Sequence, residues 1–120
     1  MKIAITALEA NLDSPVEPRF GRAKQFVLFD TATKEFEIID NLQNLNAAQG
    51  AGIQSAQNII NSGAEALISG HCGPKAFRVL AAGKVKIYVN ASGTIQENLD
   101  KLQAGELEQA NDADVEGHWV

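Results

Sequence analysis

The apolar positions of the first forty residues fall into three short stretches, each bounded by polar or turn-forming residues. The stretches cover Lys2–Thr6, Gln25–Asp30 and Glu35–Asp40, and they are rich in β-branched and aromatic residues. Only residues 31–34 separate the second stretch from the third. The pattern predicts three strands, of which the last two form an antiparallel hairpin.

The period of the apolar positions changes after residue 50. Ile53, Ala56 and Ile59 recur at helical spacing, and Gly63 follows where a C-terminal capping glycine belongs. This pattern predicts a helix that begins at Ala51.

Two more apolar stretches, Glu65–Ser69 and Val85–Val89, predict a fourth and a fifth strand. Each is followed by a glycine-containing turn and then by a stretch with helical spacing. We expect one helix over 75–82, after Pro74, and another over 94–104.

The ends of these last two helices carry recognisable signals. Gly83 follows the first of them as a candidate closing glycine. Thr94 and Glu97 have the spacing of a capping box, in which each side chain accepts a hydrogen bond from the other residue's backbone. The helix over 94–104 is therefore expected to begin at this pair.

The predicted element order, β-β-β-α-β-α-β-α, restricts the topology. Right-handed crossovers place the fourth and fifth strands parallel to the first. We expect an α/β fold with a mixed five-stranded sheet in the order 3-2-1-4-5 and helices on its faces. Ligands of open sheets bind beyond the carboxyl ends of the strands. Three connections, 9–22, 70–75 and 91–94, leave from that edge.

The formal net charge of −5 is unevenly distributed along the 120 residues. Residues 1–104 contain ten acidic and ten basic residues, whereas residues 105–120 contain five acidic residues and no lysine or arginine. We expect a single domain over 1–104 and an acidic C-terminal tail over 105–120. The neutral domain keeps enough cations to bind an anion at one place.

The composition argues against several classes of function. A single cysteine excludes an internal disulfide and a zinc site built of several cysteines. A neutral domain with 6% aromatic residues argues against nucleic-acid binding. No apolar run reaches the roughly 20 residues of a membrane span. The N-terminal stretch lacks a signal-peptide pattern, so we expect a cytoplasmic protein.

The segment Ser69–Lys75 carries the most informative local pattern, because it joins a strand to a helix N-terminus. Unsatisfied backbone N–H groups and the helix dipole favour an anion there. Lys75 and Arg78 lie on the same side of this helix. Cys72, at the same N-terminus, is expected to favour its thiolate form. The alternative interpretation is a glycine-rich connector with a buried thiol.

Two further segments suit an anion. Gly50 and Gly52 flank the start of the preceding helix, although the complete phosphate-loop and dinucleotide motifs are missing. Arg19 and Arg22 place two guanidinium groups at the end of the long first loop, and such groups suit multivalent anions. Alternatively, that loop is solvated and Phe20 fills the edge of the core.

The two histidines leave further alternatives open. Cys72 with His118 would supply a nucleophile and a base for an enzyme. His71 is not expected to pair with Cys72, because neighbours in an extended chain point apart. His118 and Trp119 either fold back over the cleft or form a frayed end.

Five segments, taken in order, resemble the dinitrogenase iron–molybdenum cofactor biosynthesis family. They are Arg19-Phe20-Gly21-Arg22, Gly50-Ala51-Gly52-Ile53-Gln54, Gly70-His71-Cys72-Gly73-Pro74-Lys75-Ala76-Phe77, Ser92-Gly93-Thr94 and Glu116-Gly117-His118-Trp119. The resemblance covers essentially the whole chain. Within the family, the chain is most similar to the orange-protein group, which holds a molybdenum–copper sulfide cluster without covalent attachment.

The resemblance implies a ribonuclease H-like fold and a non-catalytic carrier or storage protein for a polyanionic molybdenum–copper sulfide cluster. We expect an unidentified protein donor or acceptor as a partner, and neither nucleic acid nor membrane. Cys72 is a candidate direct metal ligand. The implied cluster-binding residues are Arg19, Phe20, Gly21, Arg22, Gly50, Gly52, Gly70, His71, Cys72, Gly73, Lys75, Arg78, Ser92, Gly93, His118 and Trp119.

Three other functions stay open at this point. The first is carriage of an iron–molybdenum sulfide cluster during cofactor assembly. The second is a Cys72-dependent enzyme that acts on a small anionic substrate. The third is a regulatory interaction module that binds no metal.

Overall fold

The computed structural model describes residues 1–46 and 50–111. The antiparallel half of its sheet consists of β1 (Lys2–Ala7), β2 (Gln25–Asp30) and β3 (Phe36–Asp40). β1 pairs antiparallel with β2 along its whole length, and β2 pairs antiparallel with β3. The predicted hairpin is confirmed.

The parallel half adds β4 (Ala66–Ile68) and β5 (Lys86–Tyr88), and the sheet order is β3-β2-β1-β4-β5. β4 pairs parallel with both β1 and β5. The predicted α/β architecture, mixed sheet and strand order are confirmed. β4 and β5 are shorter than predicted, because flanking residues such as Ser69 keep a backbone hydrogen bond but leave the regular ladder.

The helices are α1 (Ala51–Asn61), α2 (Pro74–Ala82) and α3 (Ile95–Gln103). They follow β3, β4 and β5, which all run in the direction of β1. Each helix therefore begins beyond the same ends of the strands. We call this region the carboxyl edge, and define it as residues 8–24, 69–75 and 89–94 together with the amino end of α1.

The sheet separates two apolar cores. α1 and α2 cover one face, where Ile59 and Leu80 are fully buried, and the two helices pack against each other. α3 covers the other face, where Ile95 and Leu99 are buried. The amino ends of α1 and α2 therefore lie on one side of the sheet, and that of α3 lies on the other. None of the helices in the described ranges is both long and apolar enough to cross a membrane.

Gly83 ends α2 as predicted, but for a different physical reason. Its φ of −82° is an ordinary value, whereas the next residue, Lys84, has a φ of 63°. A Cβ on Gly83 would lie 2.6 Å from Cδ1 of Ile60 on α1. Glycine here permits close packing of two helices. Gly63, after α1, has the positive φ of 85° that the sequence predicted.

α3 begins with the predicted capping box. The Glu97 backbone N–H donates to Thr94 Oγ1 at 3.2 Å, and the Thr94 backbone N–H donates to Glu97 Oε1 at 3.0 Å. The bond from the Thr94 backbone is the main cause that lowers the pKa of Glu97 below its ordinary value of 4.5. The amino end of α3 thus satisfies its own N–H groups.

We expect Thr94→Ala to lower the free energy of unfolding by about 1 kcal/mol, because α3 loses its cap.

The same cap should make stability depend on pH. Since the pKa of Glu97 is lowered in the folded state, the contribution of its ionised form to stability is complete above the unfolded value of 4.5 and is lost as the pH falls through the folded value. Glu97→Gln keeps the acceptor without the ionisation, so its stability profile should be flatter in this acid range. Urea unfolding at stepwise lower pH measures both effects. Wild-type stability in Thr94→Ala would contradict the first prediction, and a wild-type pH profile in Glu97→Gln would contradict the second.

The described part of the acidic segment, residues 105–111, packs against the domain. Gln109 pairs antiparallel with Tyr88 of β5, and the Ala110 N–H donates to the Ile87 carbonyl oxygen at 2.7 Å. β5 is an edge strand, and its outer backbone groups need partners. Packing against the domain therefore continues beyond residue 104, where the composition changes.

Candidate functional site

Backbone hydrogen bonds hold the long loop after β1 along the carboxyl edge. The His71 N–H, beyond β4, donates to the Pro18 carbonyl oxygen at 2.7 Å. The Val16 N–H donates to the Gly93 carbonyl oxygen, beyond β5, at 3.0 Å. The loop that the sequence left irregular is therefore a fixed part of this edge.

Gly70 is required by the close approach of this loop. A Cβ on Gly70 would overlap the Pro18 carbonyl oxygen and lie 2.7 Å from Pro18 Cα. Both obstacles are backbone atoms, which no side-chain rotation can move. The first glycine of the Gly70–Lys75 segment thus serves the packing of two loops.

Arg19 and His71 occupy opposite positions of a parallel bridge. The register is set by the bond from His71 N–H to Pro18 and by a second bond, of 3.0 Å, from Phe20 N–H to the His71 carbonyl oxygen. Both side chains are exposed. Side chains opposite each other in a ladder project to the same side of it. The structure therefore brings together two predicted site residues from separate motifs.

Phe20, one of the implied cluster-binding residues, lies in the core. Its side chain is 1% exposed, and its ring stacks on Phe26 with 5.8 Å between the ring centroids. The alternative interpretation, in which Phe20 fills the edge of the core, is confirmed. Phe20 opens the short 3₁₀ helix Phe20–Arg22, and the neighbouring Gly21 is buried with it. The phenyl ring thereby anchors the segment that carries Arg22.

Cys72 is also a core residue. It is fully buried in the cluster that contains Phe20 and Ala76, and its Sγ lies 3.8 Å from the Gly73 carbonyl oxygen. Apolar burial opposes the thiolate form that the helix N-terminus was expected to favour. The structure thus corresponds to the glycine-rich connector with a buried thiol. The adjacent His71 is exposed.

We expect Cys72 of the folded protein to react with iodoacetamide at least about tenfold more slowly than a free thiol near neutral pH. The reason is that the reagent reaches the sulfur only when the core opens. The same protein in denaturant, which should react at the rate of a free thiol, is the control. A rate in the folded protein equal to that of the control would contradict the buried position.

α1 and α2 both begin without a side-chain cap among the described residues. Gly50, with a φ of 95°, precedes α1, and Gly73 precedes α2. Helical bonding starts with Gln54 N–H to the Gly50 carbonyl oxygen in α1, and with Phe77 N–H to the Gly73 carbonyl oxygen in α2. The N–H groups of the preceding first-turn residues, Gly52 among them, have no acceptor within the helix. Two such starts on one side of the sheet favour an anion.

Three cationic side chains lie at the same edge of the sheet as these helix starts. Arg22 lies at the end of the loop, and Lys75 and Arg78 lie in the first two turns of α2; all three are exposed. Within residues 1–46 and 50–111, no carboxylate lies within 4.0 Å of any of these three cationic groups. Their charge is therefore available to an external anion.

A recess of about 100 Å³ opens at the same edge. Arg22 and Lys24 line it together with Glu17, so its charged groups are two cations and one anion. Lys24 was not among the predicted site residues. The signal that could have found it is the short spacing of the cations at positions 19, 22 and 24.

The segment Ser92–Gly93 reaches the carboxyl edge from the side of α3. The Ser92 carbonyl oxygen accepts a hydrogen bond from Asn98 Nδ2 at 2.8 Å, and the Gly93 carbonyl oxygen accepts the bond from Val16. These groups hold the loops together, and the amino end of α3 is already capped. This side therefore offers fewer N–H donors to a ligand. His118 and Trp119 lie outside the described residues.

A larger recess, of about 520 Å³, lies between Asn90 and the segment 106–110. Glu106 and Glu108 line it, so it is unsuited to a polyanion. Within the described ranges, no three His, Cys, Asp or Glu side chains are grouped as ligands of a metal ion.

Comparison with known proteins gives consistent results. Residues 1–105 match the family described as dinitrogenase iron-molybdenum cofactor. The apo form of the orange protein from Desulfovibrio gigas is similar in structure, with a TM-score of 0.92 and 37% identity over 95% of this chain and 96% of that one. A Thermotoga protein described as a candidate NifB protein has a TM-score of 0.78 and 35% identity, over 90% of this chain and 91% of that one. An uncharacterized protein of Methanocaldococcus jannaschii is 29% identical over 113 residues, which are 91% of this chain and 95% of that protein.

The family match extends from β1 to just beyond α3, and so includes every strand and helix described above. It contains four of the five segments on which the predicted resemblance rests. The chain therefore belongs to the dinitrogenase iron–molybdenum cofactor family.

Proposed function

We propose that this protein binds a polyanionic metal–sulfide cluster without covalent attachment, and that it carries or stores this cluster. One observation carries the proposal. Two uncapped helix starts and three cations without a neighbouring carboxylate occur together at one edge of the described structure. The family description and the likeness to the orange protein support a metal–sulfur cluster as the anion.

The proposed site is built from charge and backbone donors. Arg19 and Arg22 approach from the loop after β1, His71 lies opposite Arg19, and Lys75 lies on α2. The N–H groups at the starts of α1 and α2 supply hydrogen bonds to sulfide, and the helix dipoles add partial positive charge. Arg78 extends the positive surface by one turn of α2.

The proposed mode of binding does not require thiolate ligands. Cys72 is the only cysteine of the chain and it is buried, so a cage of cysteines like that of ferredoxins is not available. Retention would instead depend on the match between a compact polyanion and fixed donors. Release to a protein acceptor would then need no bond between metal and protein to break.

The cargo that we propose is a molybdenum–copper sulfide cluster, as the resemblance to the orange-protein group implies. The test adds tetrathiomolybdate and copper, without oxygen, to the metal-free protein. We expect a charge-transfer absorption band that saturates at a fixed stoichiometry and co-elutes with the protein in gel filtration. If the protein elutes without a charge-transfer band although its circular dichroism spectrum is unchanged, the proposal is overturned.

A second candidate is carriage of an iron–molybdenum cluster between proteins of cofactor assembly, and the family description favours it. Metal analysis of protein purified without oxygen separates the two. Iron without copper supports this candidate, and copper with molybdenum supports the first. The absence of any metal would favour a regulatory interaction module.

A Cys72-dependent enzyme has less support. Its nucleophile would have to be exposed to substrate, whereas Cys72 is fully buried in the core under α1 and α2. The neighbouring His71 is exposed whereas Cys72 is buried, and His118, the base of this alternative, lies outside the described residues.

A further inference from the structure

Asn41 is a buried amide whose hydrogen-bonding capacity is completely used. Its Nδ2 donates to the Ala23 carbonyl oxygen and to Ser55 Oγ, both at 2.8 Å. Its Oδ1 accepts from Asn44 Nδ2 at 2.7 Å and from Asn58 Nδ2 at 3.0 Å. The side chain is 0% exposed. Two donors and two acceptors are the full capacity of an amide.

These bonds join segments that come from different parts of the chain. Ala23 directly follows Arg22, and the Asn41 N–H reinforces this contact by donating to the Lys24 carbonyl oxygen at 2.9 Å. Ser55 and Asn58 lie on α1. One side chain therefore fixes α1 relative to the loop that carries Arg22.

A buried amide at this position destabilises the fold unless all of its hydrogen bonds are made. An unpaired buried polar group is destabilising, so small displacements of either segment are opposed. An apolar side chain would fill the same space without fixing the direction of its neighbours. Complete pairing favours one arrangement of the two segments over others that pack equally well.

We propose that Asn41 is a positioning residue of the cluster site, and that it holds the loop that carries Arg22 at a fixed place against α1. This inference rests on the proposed function. Asn41 does not touch the ligand, because it is fully buried. It acts through the backbone at Ala23 on one side and through α1 on the other.

A double-mutant cycle tests this role, with tetrathiomolybdate and copper as the probe and the charge-transfer band as the signal. We expect Asn41→Ala and Arg22→Gln each to weaken binding about tenfold. The double variant should bind no more weakly than Arg22→Gln alone, because the arginine that Asn41 positions is already gone. Lys75 lies on α2, which Asn41 does not contact through these bonds. Asn41→Ala with Lys75→Gln should therefore be additive, at about a hundredfold.

Leu99→Ala is the control for an effect of lowered stability alone on binding. Leu99 lies on α3 and is buried in the opposite core, so its truncation leaves a cavity and lowers stability. We expect this variant to bind the probe like the wild type at a temperature where both are folded. If Asn41→Ala does not fold, Ser55→Ala replaces it in both cycles, because it removes only one of the two bonds between Asn41 and α1.

The possible outcomes separate the two proposals. If the wild type binds no probe, the proposed function fails and this inference fails with it. If the wild type binds and Asn41→Ala binds equally well, only the inference is overturned. Additive effects with Arg22→Gln also overturn it, since Asn41 would then act independently of that arginine. A non-additive cycle with Arg22 and an additive one with Lys75 support it.

Discussion

Lys75→Glu should weaken binding of tetrathiomolybdate with copper by about a hundredfold, and Lys75→Gln by about tenfold. Lys75 is exposed in the first turn of α2, beside N–H groups that have no acceptor in the helix. A charge a few ångströms from a multivalent anion near a protein surface contributes on the order of 1–4 kcal/mol. Removing that attraction and replacing it by repulsion approximately doubles the effect on the free energy of binding.

The matched control is Lys86→Glu. It changes the net charge by the same amount, and Lys86 is an exposed residue of the same type. It lies at the first residue of β5, at the end of the sheet opposite the carboxyl edge. We expect Lys86→Glu to change affinity less than about twofold, and only at low ionic strength. Equal losses for Lys75→Glu and Lys86→Glu would show that net charge matters and that the site has been misplaced.

Cys72→Ala should have little effect on binding, in contrast to Lys75→Glu. Because Cys72 is buried, its removal should lower stability modestly and leave the affinity for the probe within about threefold of the wild type. Arg19→Glu, which changes an exposed side chain opposite His71, should weaken binding far more. If Cys72→Ala abolished binding while the charge reversals were harmless, thiolate ligation would replace the electrostatic explanation.

Gly70→Ala should destabilise the two loops that hold the site. The new methyl group would overlap the Pro18 carbonyl oxygen, so the two loops must separate. We expect the free energy of unfolding to fall by about 2–3 kcal/mol, as in other overpacked positions. The bridge between Arg19 and His71 depends on the same backbone bonds, so probe binding should also be lost.

Gly83→Ala is the control for this variant. Neither glycine has a positive φ, and both have a neighbour closer than 3.0 Å to the added Cβ. The neighbours of Gly83 are two side-chain atoms of Ile60, Cδ1 and Cγ1, which can shift more readily than the backbone atoms of Pro18. We expect a smaller loss of stability and unchanged probe binding in Gly83→Ala. Urea unfolding and probe titration measure both, and equal behaviour of the two variants would contradict the role of Pro18.

Much of the fold could be predicted from local patterns. The apolar stretches located all five strands, and the topology followed because crossovers between parallel strands are right-handed. The pair Thr94 and Glu97 predicted the start of α3, since a capping box involves only neighbours in sequence. Predictions of this kind succeed because the interactions that decide them lie within a few residues.

The candidate site was predictable only in part. The sequence placed Arg19, Arg22 and Lys75 at one edge, because strand direction determines where each loop leaves the sheet. It did not decide between an exposed and a buried position for Phe20 and Cys72. That choice depends on which face of a loop meets α1 and α2, and no periodicity exists in a loop to indicate it. The network around Asn41 was missed for a similar reason, since its partners Ala23 and Ser55 are distant along the chain.

By itself, the sequence determined the strands and helices, their order in the sheet, and the common edge at which three helices begin. Only the tertiary structure decided how the motifs at that edge are used. It placed Arg19 opposite His71, assigned Gly70 to the contact with Pro18, and turned Phe20 and Cys72 into the core. The physical reason is the range of the interactions. Periodicity and capping act between neighbours, whereas the register of two loops depends on hydrogen bonds and packing between segments far apart in the chain.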